Sequence, residues 1–146
     1  MSMQVITDVT ALQTCAESFV SQLISAPEGA TVVALSGDLG VGKTTFVQAV
    51  AAALGVTTVV TSPTFVLQKT YATTDDRFST LVHIDAYRLA GGQELARLDW
   101  ATLCASSSHL ICIEWPERVG DQLPSQTITL TFSERPDGGR EIRVSN

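Results

Sequence analysis

Basic residues are scarce in this chain. Nine lysines and arginines stand against fifteen acidic residues, and the formal net charge is −6. Only Lys43 and Lys69 are lysines, and the arginines are scattered. A protein that grips a nucleic-acid backbone unaided concentrates its cations on one face. Tight direct binding to RNA or DNA is therefore disfavoured, whereas a nucleotide, held by a local loop, is not. Asparagine is rarer still. It occurs only at Asn146, so the Asn-Lys-x-Asp sequence that reads guanine in GTPases is excluded. Cys15, Cys104 and Cys112 contain no C-x-x-C pair and are odd in number, which argues against a disulfide framework and against a zinc site. Reduced thiols in a cytoplasmic protein are the expectation. No apolar run reaches the length of a membrane span, and no basic-then-apolar leader opens the chain, so neither membrane nor export is expected.

The 146 residues, 45% hydrophobic and 16% charged, fit a globular chain. One domain over residues 1–146 is expected, large enough to bury about 68–70% of its unfolded surface without staples.

The organising stretch is Ser36-Gly37-Asp38-Leu39-Gly40-Val41-Gly42-Lys43-Thr44-Thr45. It fits G-x-x-x-x-G-K-[ST], the phosphate-binding P-loop or Walker A pattern. Glycines let successive backbone N–H groups turn inward around phosphate oxygens. A lysine at position 43 suits the β- and γ-phosphates, and the Thr44 hydroxyl suits Mg²⁺. A glycine-rich turn before a helix would satisfy the same spacing, so context decides. The apolar run Val32–Leu35 precedes the loop and reads as a buried strand, and Thr44–Leu54 follows as a helix ended by Gly55.

Elsewhere, Gln4–Thr7 suits an edge strand. A helix follows, with an apolar stripe through Leu12, Cys15, Ala16, Phe19, Val20, Leu23 and Ile24 and a cap from Thr7, Asp8 or Thr10; Thr10 with Gln13 fits a capping box. Val56–Val60 is β-branched and extended, as a strand or as a connection. Pro63 biases Ser62 away from helix, Phe65–Tyr71 alternates as a strand, and 72–79 is a polar loop. Leu81–Asp85 and His109–Glu114 read as strands, Gln93–Cys104 as a helix, and 116–124 as irregular with one helical turn. Gln126–Ser133 and Arg140–Val144 form a hairpin about Pro136-Asp137-Gly138-Gly139. The expected fold is α/β and P-loop NTPase-like: a mixed, mainly parallel sheet flanked by helices, with a C-terminal β-hairpin.

Two strands end in an acid after an apolar run, at Asp85 and at Glu114. Ligands of open α/β sheets gather at the carboxyl ends of the strands, so either acid could serve a Mg-nucleotide. His83 shares a strand face with Asp85; a structural histidine is the plainer reading of it. Trp115, next to Glu114, suits either core packing or stacking near a nucleotide. Thr64, after Ser62-Pro63, has the logic of a switch threonine, although S-P-T is also an ordinary turn.

The series Gly37 to Thr45, Ser62-Pro63-Thr64-Phe65, His83-Ile84-Asp85-Ala86-Tyr87-Arg88 and Glu114-Trp115-Pro116-Glu117 resembles the bacterial TsaE (YjeE) family. The resemblance spans nearly the whole chain. It implies a weak ATPase of tRNA threonylcarbamoyladenosine biosynthesis that works with TsaD and TsaB, meeting tRNA only through that complex. By motif, Gly40, Val41, Gly42, Lys43, Thr44 and Thr45 would hold the phosphates of ATP. Thr44 and Glu114 would ligate Mg²⁺. Lys43, Asp85 and Thr64 would serve hydrolysis, the last from a mobile segment, and Trp115 would lie near the nucleotide. Adenine-side contacts map to Val9 and Gly139. Val41 stands where the family often has alanine, and Arg97-Leu98-Asp99-Trp100 departs from the family's glycine-bearing pattern after Glu94. A P-loop alone leaves two alternatives, a small-molecule kinase and a non-hydrolysing nucleotide-gated binding module.

Overall fold

Strands β2 (Thr31–Ser36) and β5 (His109–Glu114) lie at the centre of a sheet and are covered on both faces, which is why their sequences are nearly continuous apolar runs. The computed structural model describes residues 2–145. The remaining strands are β1 (Ser2–Ile6), β3 (Gln68–Ala72), β4 (Thr80–Asp85), β6 (Ile128–Glu134) and β7 (Arg140–Ser145). They join in the order β1-β7-β6-β2-β5-β4-β3. The inner pairs β6–β2, β2–β5 and β5–β4 are parallel, and the pairs toward both edges are antiparallel. The mixed, centrally parallel sheet and the C-terminal β6–β7 hairpin match the expectation from sequence.

Alternation along the strands sorts side chains between two cores. Val33 and Leu35 of β2, Leu110 and Cys112 of β5, and Leu81 of β4 pack beneath helices α1 (Val9–Gln22) and α2 (Lys43–Ala53). Val32, Ala34, Ile111, Ile113, Val82 and Ile84 face the other way, toward helix α3 (Trp100–Ala105) and the 3-10 turns at Gly92–Leu98, Pro116–Arg118 and Gly120–Gln122. Phe46 of α2 ties the first core together. Its ring lies 5.9 Å from Phe19 of α1 and 5.5 Å from Phe132 of β6, the latter nearly perpendicular. Among the described residues no helix is long and apolar enough to cross a membrane.

Local chemistry moved several boundaries. Asp8 is the cap of α1, its Oδ1 accepting from Ala11 N at 2.7 Å, so the Thr10–Gln13 box does not form. Val56–Val60 is a connection. Beta-branched side chains favour a strand only where a neighbour offers pairing, and here Val59 is 84% exposed while Gln48 Nε2 donates to Val60 O. The strand expected over Phe65–Tyr71 begins only at Gln68. The preceding residues turn, with Leu67 at φ 68° and its N–H bonded to Pro63 O. The helix expected over Gln93–Cys104 is broken at Asp99, φ 57°, into a 3-10 turn and α3. The 116–124 stretch holds two 3-10 turns where one was expected.

Phe46→Ala should cost about 3–5 kcal/mol. Urea unfolding would record it as a lower midpoint with an unchanged slope.

Candidate functional site

The site is set by strand parity. Counting by twos, His83 and Asp85 of β4 and Glu114 of β5 fall on the same sheet face as Leu81, Leu110 and Cys112, the face beneath α2. Register puts Asp85 opposite Glu114, and Glu114 opposite Leu35 of β2. Two carboxylates therefore emerge side by side at the carboxyl ends of parallel strands, where α2 begins.

The loop from β2 into α2 needs glycine at its two ends. Gly37 has φ 146°, and a Cβ there would come within 2.6 Å of Phe132 O. Gly42 caps α2 at φ 111°, a left-handed conformation in which other residues are strained. No side chain caps α2, so its first N–H groups face the mouth of the loop with the positive end of the helix dipole behind them. A cavity of about 240 Å³ opens there, lined by Gly40, Gly42, Lys43, Thr44, Thr45, Thr64, Asp85, Glu114 and Trp115 among others. A second cavity of about 320 Å³ continues past Gly40, Gly42 and Thr45 toward Val9 and the Gly138 turn. Val41 lines this second space, although its side chain is buried in the core. Gly139 does not line it; its neighbours Gly138 and Arg140 do.

Each charged group has defined partners. Thr44 Oγ1 lies 3.1 and 3.0 Å from the two oxygens of Glu114. His83 Nε2 lies 2.6 Å from Glu114 Oε2. Thr64 Oγ1 donates to Asp85 Oδ2 at 2.8 Å, and Tyr87 N–H to Asp85 Oδ1 at 2.9 Å. The Ser62 hydroxyl meets that of Thr64, and Ser36 Oγ donates to Glu117 Oε2 at 3.1 Å. Lys43 is 4% exposed; its ammonium donates to Gly37 O and sits 3.7 Å from the centroid of the Trp115 ring. Trp115 adopts φ 59° and packs 5.1 Å from Tyr87, over which Arg118 lies.

Most residues singled out in the sequence thus line one cavity. The contact that sequence reasoning undervalued is His83 with Glu114; the signal available was the shared parity of His83, Asp85 and Glu114. Among the described residues no three His, Cys, Asp or Glu side chains cluster as a complete metal cage. Mg²⁺ in nucleotide sites relies on one or two carboxylates plus phosphates and water. A Thr44 hydroxyl against a buried carboxylate, with a second carboxylate opposite, is a donor set of that kind.

A family model described as "Threonylcarbamoyl adenosine biosynthesis protein TsaE" matches residues 6–142. Similar curated proteins, each described as "tRNA threonylcarbamoyladenosine biosynthesis protein TsaE", include those of Treponema pallidum and Bacillus subtilis. The first is 41% identical over 81% of this chain and 84% of the relative. The second is 36% identical over 76% and 66%. The crystal structure of Bacillus subtilis YdiB superposes with a TM-score of 0.73 at 26% identity, covering 97% of this chain and 82% of that one.

Burial pulls the Lys43 ammonium below the ordinary lysine value of 10.5, against weaker opposing pulls from Glu114, Glu117, Asp85 and Asp38. Between the lowered folded value and the ordinary unfolded one, the unfolded chain holds a proton that the folded chain has released, so stability rises with pH. Relative to Lys43→Met, the wild type should gain stability as pH climbs from neutrality toward 10.5. Urea midpoints of both proteins across that range measure it; a constant difference would mean burial does not penalise the charge.

Proposed function

This chain belongs to the TsaE family of threonylcarbamoyladenosine biosynthesis proteins, and on that premise we propose that it binds and weakly hydrolyses ATP·Mg²⁺ in support of a TsaD–TsaB pair. The observation that carries the reading is the Thr44–Glu114 contact at the foot of the glycine loop, with the Asp85–Thr64 pair facing the same cavity. A cytoplasmic setting, with tRNA reached through the complex, goes with it. The net charge of −6 favours that indirect contact.

The residues divide the work by chemistry. The N–H groups from Gly40 to Thr45 would hold the phosphates against the start of α2. Lys43, charged though buried, would exchange Gly37 O and the Trp115 face for the terminal phosphate oxygens. Thr44 and Glu114 would hold Mg²⁺, which when bound neutralises phosphate charge and so eases departure of the γ-phosphoryl group. Asp85 is the acid placed to orient the attacking water. Its oxygens accept from Thr64 and from the Tyr87 N–H; each keeps a lone pair for a water, and a shift of the Thr64 segment would free a further one. Val9 and the Gly138–Arg140 turn bound the space on the adenine side.

That engagement of Asp85 also favours a second reading, a nucleotide-gated binding module that does not hydrolyse. The readings separate by substitution. If hydrolysis matters, Asp85→Ala should abolish turnover and partner-dependent function; if gating suffices, it should leave that function intact while Lys43→Ala removes it.

ATP turnover measured with and without the TsaD–TsaB pair should rise on adding the pair, and depletion of the protein should lower threonylcarbamoyladenosine in bulk tRNA. An unchanged modification level would sink the assignment. Glu114→Ala should weaken Mg-dependent nucleotide binding more than Asp85→Ala does; a titration giving the reverse order would exchange the two roles.

A further inference from the structure

His83 is fully buried, and the one hydrogen bond of its side chain is to Glu114. The contact is diagonal across the sheet. Register pairs His83 of β4 with Cys112 of β5, and the imidazole reaches two residues along β5 to the carboxylate. Nε2 is therefore the ring atom that donates, and Nδ1 is buried without a partner. A side chain kept for packing at this position would be apolar, as Leu81, Val82 and Ile84 around it are. Burying an unpartnered ring nitrogen carries a desolvation cost; what offsets it is the bond to Glu114.

The two carboxylate oxygens are consequently unequal. Oε2 takes the His83 N–H and approaches Thr44; Oε1 meets Thr44 alone. The imidazole is fully buried on the sheet face, which limits its freedom to follow the carboxylate. It fixes the Glu114 torsion from behind while Thr44 approaches from the front.

From this geometry we infer that His83 is a positioning residue, holding the Glu114 carboxylate so that Oε1 is presented to the cation that Glu114 and Thr44 share. The inference rests on the proposed role of Glu114 as a metal-binding acid and deepens it. His83 itself touches neither cation nor nucleotide; its effect passes through Glu114. Hydrogen-bond partners behind metal-binding side chains are worth roughly 10–100-fold in metal affinity.

The test is a binding measurement. Dissociation constants for ATP are taken by calorimetry in EDTA and in excess Mg²⁺, and their ratio is the metal's contribution. His83→Gln can place an amide N–H near the position of Nε2, whereas His83→Asn is too short to reach Glu114. The Asn variant should lose about tenfold or more of the Mg²⁺ gain while its affinity in EDTA stays that of the wild type; the Gln variant should retain most of the gain. His83→Leu, apolar and of similar bulk, replaces the Asn variant if that one does not fold, with melting curves as the check. Equal gains in the wild type and the short or apolar variant would overturn the inference. Glu114→Ala separates the two levels. If it keeps the full gain, the metal role of Glu114 falls and that of His83 with it. If it loses the gain while His83→Asn keeps it, only the role of His83 falls.

Discussion

A carboxylate taken out of water is tolerated only where hydrogen bonds or charges replace the water it loses. This protein buries two, Asp85 at 5% exposure and Glu114 at 3%, on adjacent parallel strands. Their compensation organises the site. Glu114 receives the His83 imidazole and the Thr44 hydroxyl, and Asp85 receives the Thr64 hydroxyl and the Tyr87 N–H. Each donor comes from a different element, so meeting the demand fixes α2, β4, the 62–67 turn and the loop after β4 relative to β5.

Lys43 completes the balance at a cost. It is the one lysine in the cavity, held between Gly37 O, the Trp115 ring and the surrounding acids. Burial lowers its proton affinity, and the surrounding acids oppose that only in part. A buried charge of this kind is a cost to stability that a site can carry. The left-handed Trp115, with Lys43 over its ring and Tyr87 tilted against it, is where backbone strain accompanies it.

Much of this was legible in the sequence because it depends on period and punctuation. Strand β5 coincides with the apolar run that precedes Trp115, Asp85 and Glu114 were both readable as strand-end acids, and family resemblance set Glu114 beside Thr44. That Glu114 is the acid facing Thr44 follows from β5, not β4, pairing with β2, a long-range arrangement that no local motif encodes. Other outcomes are of the same kind. Val56–Val60, readable as a strand or as a connection, is a connection because no strand pairs with it. Leu67 and Asp99 adopt left-handed conformations that no glycine signalled in the sequence. Among Thr7, Asp8 and Thr10 the cap is Asp8, whose carboxylate accepts from Ala11 N. His83 was read as structural, and it is buried; shared parity hinted at its partner, and the structure identifies that partner as Glu114.

Asp85 and Glu114 differ in a way that bears on the proposed chemistry. The donors to Glu114 are a helix residue and a core histidine, both anchored in the packed face beneath α2. One donor to Asp85 is Thr64, from a turn whose neighbours Phe65 and Val66 are 85% and 58% exposed. Those two side chains add little burial energy to the turn, which is held by buried Pro63 and by Leu67 against the second core. Glu114 is thus held by two donors set in the packed core, whereas the hydroxyl bonded to Asp85 comes from a part-buried turn. A site needing one firmly held acid and one with a more adjustable partner would be built with this asymmetry.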